Sequence, residues 1–119
     1  KITKAWEQWL TKVQFFLSVD NHQYISAATD VKLDAEYVQV STTTGTYAIT
    51  LSAPTLPKKR KTIQMKTRTG AFNVTLALTN VVGGTAATTC TFDTAGGCLV
   101  LESLYNTWVV IKQYNVTLS

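Results

Sequence analysis

Strict alternation of apolar and polar residues marks Phe72-Asn73-Val74-Thr75-Leu76-Ala77-Leu78 as a strand with one face in a core and the other turned to solvent. Further short runs read as strands: Glu36–Ser41, Tyr47–Leu51, Thr62–Lys66, Thr88–Phe92, Cys98–Glu102, Trp108–Lys112 and Asn115–Leu118. Turn formers separate them, at Gly45, Pro54, Pro57, Gly70, Gly83-Gly84, Gly96-Gly97 and Tyr105-Asn106. Leu99-Val100-Leu101 and Trp108-Val109-Val110-Ile111 are apolar on both faces, which places them centrally in a sandwich or against another subunit. The pattern predicts a mainly β fold, a compact antiparallel β-sandwich or barrel-like domain over residues 35–119.

The period changes near the amino end. Ile2, Trp6, Trp9, Val13 and Phe16 recur at spacings of four, three, four and three, and Leu10 and Leu17 widen the stripe. This is the spacing of a helix that meets other helices, and it predicts an N-terminal α-helix over residues 1–20. A helix this short is marginal alone in water. Two tryptophans need cover, and copies of the same chain supply it in a helical bundle with Ile2, Trp6, Trp9, Leu10, Val13, Phe16 and Leu17 at the seam. Folding of the helix back onto its own sheet is the alternative. Residues 21–34 read as a linker with weak strand character at Tyr24-Ile25. Lys1 and Lys4 stand where a helix start prefers acids, so the chain is expected to continue upstream into an anchoring region.

Composition sharpens this picture. Charged residues are 15% of the 119-residue chain, apolar ones 45%, and threonine fills much of the remainder. Threonine suits a pleated, partly solvated surface, so the balance favours a structural or surface protein over an enzyme. No uncharged apolar run is long enough to span a membrane.

Several segments carry a family likeness. Ala48-Ile49-Thr50-Leu51-Ser52-Ala53-Pro54, Arg60-Lys61-Thr62-Ile63, Asn73-Val74-Thr75-Leu76, Thr91-Phe92-Asp93 and Thr107-Trp108-Val109-Val110-Ile111 together resemble the repeating β-modules of virion fibre proteins. Such modules occur in head and tail fibres of tailed bacteriophages and in some large DNA viruses. Ala5-Trp6-Glu7-Gln8-Trp9-Leu10 resembles the tryptophan-bearing helix that often precedes them. Leu104-Tyr105-Asn106 departs from the family's glycine-containing turn, and the cysteine pair is a second departure. The resemblance implies a homotrimer in contact with other virion proteins, serving as a fibre, tail appendage or head decoration. It also implies residence in a virion assembled in the host cytoplasm, and contact with a host-surface glycan or polyanion.

Candidate chemistry is sparse. Lys58, Lys59, Arg60 and Lys61, followed by Lys66 and Arg68, place six of the eleven basic residues within eleven positions. This run reads either as an anion contact or as a solvated hairpin whose charges keep sheet edges apart. No aromatic residue interleaves it, so nucleic acid is not the expected partner. Cys90 and Cys98 flank Thr91–Gly97; they can face each other across a hairpin as a disulfide, or stand as two ordinary thiols. His22 is the sole histidine and no tetrahedral metal set is present. Asp30, Asp34 and Glu36 gather in the linker, yet no catalytic triad, phosphate loop or dinucleotide turn accompanies them. No enzyme, metal or cofactor is therefore expected. A carbohydrate-binding module, using exposed Tyr47, Tyr105 and Tyr114 as sugar platforms, is the competing function.

Overall fold

Threonine, valine and isoleucine at alternate positions favour extended backbone, and from residue 22 onward the chain obeys them. The computed structural model describes residues 22–82 and 88–119. Its strands are β1 (His22–Ile25), β2 (Tyr37–Ser41), β3 (Tyr47–Leu51), β4 (Arg60–Thr67) and β5 (Val74–Leu78). After these come β6 (Val81–Val82), β7 (Thr89–Phe92), β8 (Cys98–Leu104), β9 (Thr107–Tyr114) and β10 (Thr117–Leu118). Two sheets share one core, the first in the order β1-β2-β4-β8-β9-β6 and the second in the order β10-β7-β5-β3.

From β2 to β5 the chain alternates between the sheets and lays like strands side by side in parallel. β1 pairs with β2 and β2 with β4 in the first sheet, and β3 pairs with β5 in the second. Asp30 adds a parallel bridge to Thr50 beside β3. Each turn of this coil therefore contributes backbone to both sheets. Antiparallel pairs then close it: β4 with β8, β8 with β9, β5 with β7 and β7 with β10.

The expected antiparallel sandwich is corrected to a pair of mixed sheets. Alternation tells which side of a strand meets the core, but a parallel and an antiparallel neighbour leave the same period-two trace. The segment 26–36 carries the chain from β1 to its parallel neighbour β2, and 42–59, which includes β3, carries it from β2 to β4, crossovers of the kind that parallel strands require. The helix-plus-sheet reading is corrected as well, because the described residues contain strands and no helix. The helix expected over residues 1–20, with Ile2, Trp6, Trp9, Leu10, Val13, Phe16 and Leu17, lies outside the described residues. The segment expected as a linker, residues 21–34, supplies β1 and the Asp30 bridge.

Inward side chains from the first sheet are Val38, Val40, Ile63, Met65, Leu99, Leu101 and Trp108; the second sheet answers with Ile49, Leu51, Val74, Leu76, Phe92 and Cys90. Trp108 is buried, and its indole Nε1 donates to the Ser52 carbonyl at 2.9 Å, which satisfies its one polar atom. Of the runs expected to be apolar on both faces, Leu99 and Leu101 are buried while Ile111 stays exposed.

Candidate functional site

Where β2 and β4 begin, the two crossovers leave a cleft of about 280 Å³. Leu33, Asp34 and Glu36 line one side, Pro54, Leu56, Lys59 and Arg60 the other, with Lys61 and Trp108 beneath. Ser103 on β8 fixes the second wall. Its hydroxyl donates to the Leu56 carbonyl at 2.6 Å and accepts from the Lys59 amide at 2.8 Å, while its carbonyl accepts from the Lys58 amide at 2.8 Å.

The structure divides the basic run. Lys58 and Lys59 are exposed, with Lys58 in a left-handed turn at φ 58°. Arg60 is exposed and lies 3.4 Å from Glu102 of the neighbouring strand, a surface pair of small energetic weight. Lys61 points the other way, because it shares the inward face of β4 with Ile63 and Met65. Only 1% of it is exposed. Its ammonium donates to the carbonyls of Lys32 at 2.7 Å and Leu33 at 3.4 Å, and to that of Ala35. Three acceptors match its three donors, so the charge binds the first crossover to β4 and is spent inside the protein. Burial lowers the Lys61 pKa to about 8, partly opposed by the nearby Asp34 and Glu36 carboxylates. The sign that could have revealed this lay in the alternation itself, since Lys61, Ile63 and Met65 occupy equivalent positions.

The acids are divided too. Asp34 and Glu36 join the cleft, whereas Asp30 accepts a hydrogen bond from the Thr50 hydroxyl away from it. Both cleft carboxylates are exposed and lack the burial that tunes a glycosidase acid. With Lys59 and Arg60 opposite Asp34 and Glu36, the rim charges balance, and the walls are apolar. Such a cleft suits a small amphipathic group better than a strong polyanion.

The cysteines sit on different sheets. Cys90 faces the core from β7, and Cys98 lies on the outward side of β8, next to inward Leu99. Both thiols are free, so the disulfide considered above is corrected: the side chains point to opposite sides of the first sheet. Burial pushes the Cys90 thiol up to about 12, and burial also raises that of Cys98, with Lys112 pulling the latter down.

Among the expected sugar platforms, Tyr105 and Tyr114 are exposed, at 75% and 57%. Tyr47 is held in place, its hydroxyl 2.8 Å from the Ser41 carbonyl and 3.1 Å from that of Ile25. His22 stands edge-on to Tyr37, with ring centroids 5.7 Å apart. No three His, Cys, Asp or Glu side chains gather at metal-binding range among the described residues. One exposed aromatic was missed by pattern reading: Tyr24, 73% exposed on β1. A lone tyrosine in a polar segment gives no periodic signal.

No known protein family and no curated protein matches the chain in sequence. Its function therefore rests on the geometry above.

Proposed function

We propose that the chain is a self-associating structural β-module of a virion appendage, a fibre, tail piece or head decoration that also touches the host surface. The observation that carries this reading is the coil of parallel strands, β1-β2-β4 over Asp30-β3-β5, whose turns are stacked and held by backbone bonds as in elongated repeat architectures. Exposed apolar side chains on one end of the first sheet support self-association. Val82 on β6, Leu104 on β8 and Ile111 on β9, strands that adjoin in the order β8-β9-β6, are 58%, 56% and 46% exposed, and apolar exposure on neighbouring strands favours a contact surface. Three copies is the number that the fibre resemblance implies. The balanced cleft beside Trp108 and the exposed tyrosines serve as contacts for host glycans. Light scattering on the full chain at high dilution is the test. The expected mass is three times 13.1 kDa; a folded species of single-chain mass overturns the reading.

The second reading, a monomeric carbohydrate-binding module, is favoured by the exposure of Tyr105 and Tyr114. Strong retention by a glycan array at concentrations where the chain is monomeric would establish it in place of the first.

A further inference from the structure

The outward face of the first sheet can be read strand by strand from the pairing register. One row runs Tyr24, Gln39, Gln64, Cys98, Tyr114, and the next runs His22, Tyr37, Thr62, Val100, Lys112. Neither row contains an acid. One amide and one hydroxyl on this face are tied together, the Tyr37 hydroxyl donating to Gln64 Oε1.

At the Tyr24 end this face is not flat. A shallow hollow of about 180 Å³ opens beside the Tyr24 ring, edged by Ser26, Gln39, Ser41 and Lys66. A β-bulge shapes it: Val40 pairs with Met65 but Ser41 pairs with Thr67, so Lys66 is the extra residue on β4. Arg68, two residues on, is committed to the Phe72 carbonyl at 3.2 Å and Asn73 Oδ1 at 2.9 Å. Lys66 has no such internal partner among the described residues and is exposed.

We propose that this hollow is a binding subsite for one acidic sugar unit of a polysaccharide. Its volume is below the roughly 300 Å³ at which pockets for drug-sized ligands begin, and is scaled to a single ring. The exposed Tyr24 ring gives an apolar wall for the C–H face of a pyranose. Gln39 and Ser41 present an amide and a hydroxyl to ring hydroxyls, and Lys66 meets a carboxylate. The charge separates this site from the cleft near Trp108, where acids and bases cancel. The inference deepens the host-contact part of the proposed function and rests on it, but its primary readout is sugar binding, which a single-chain mass of the parent would leave standing.

Affinity electrophoresis of the full chain in native gels cast with alginate, a polyuronate, or with dextran, a neutral glucan, decides the matter. Alginate is expected to retard the protein and dextran to leave its mobility unchanged. Tyr24→Ala and Lys66→Ala should each weaken the alginate interaction about tenfold, the scale of one stacked ring or one charge contact. Tyr24→Phe should retain it, and Lys32→Ala, which removes one positive charge outside both the hollow and the cleft, should change it less than about twofold. Because Tyr24 is 73% exposed, its replacement leaves the fold in place, as an unchanged circular dichroism spectrum will verify. The proposal is overturned by absence of retardation in alginate, by equal retardation in dextran, or by Lys32→Ala weakening binding as much as Lys66→Ala. A fall in solution mass for Tyr24→Ala overturns it too, since the hollow would then hold a second copy of the chain.

Discussion

Lys61 is the residue on which the site and the fold meet. Replacing it with Met leaves the carbonyls of Lys32, Leu33 and Ala35 without their donor. The expected cost is about 2 kcal/mol, the usual penalty for stranding buried acceptors of a charged group, and urea unfolding will measure it. The pH dependence has a definite sign. Burial takes Lys61 from 10.5 down to about 8. Between these values the unfolded chain keeps a proton that the folded chain has shed, so stability rises with pH across that window. Cys90 opposes it from pH 9 upward, because its thiol, raised to about 12, stays protonated in the fold while the unfolded thiol ionises. The urea midpoint should therefore climb from pH 7.5 to 9 in the parent and stay level in Lys61→Met. In Cys90→Ala the climb should continue more steeply above pH 9. The position of Lys61 was legible in the sequence, because alternation assigns it the inward face with Ile63 and Met65. Its charge hid it, since four consecutive bases look like a solvated turn.

At the scale of the element, the strand positions were written plainly and their partners were not. β3 lies on the predicted Tyr47–Leu51, and β2, β5, β7 and β8 begin within two residues of expectation. β6 has two residues, too few for any period to show, and β1 is polar at three of its four positions. The junctions carry the testable detail. Gly97 leaves no room for a side chain, since a β-carbon there would lie 2.8 Å from the Asn115 carbonyl oxygen and 3.1 Å from Val116 Cγ1. Gly97→Ala should cost about 1–3 kcal/mol by overpacking where β9 turns into β10, read as a lowered thermal midpoint. Tyr105 is the converse case. It holds φ at 57° in the tight β8–β9 turn, a region that disfavours side chains, so Tyr105→Gly should stabilise the protein by about 1 kcal/mol.

At the scale of the whole molecule, the proposed assembly depends on the β6, β8 and β9 surface. Ile111→Glu places a charge on that surface at a side chain 46% exposed, and is expected to lower the mass in solution toward 13.1 kDa while the circular dichroism spectrum stays that of the parent. The order of strands has a mechanical corollary. His22 enters at the β1 border of the first sheet, and Thr117–Leu118 leave at the β10 border of the second, on the far side of the stack. Traction drawn between those two points runs across the ladders and not along them, so bonds give way one pair after another, as a zip fastener opens. An appendage that has to withstand the pull of an attached cell would need that first border clamped by something beyond the sheet itself.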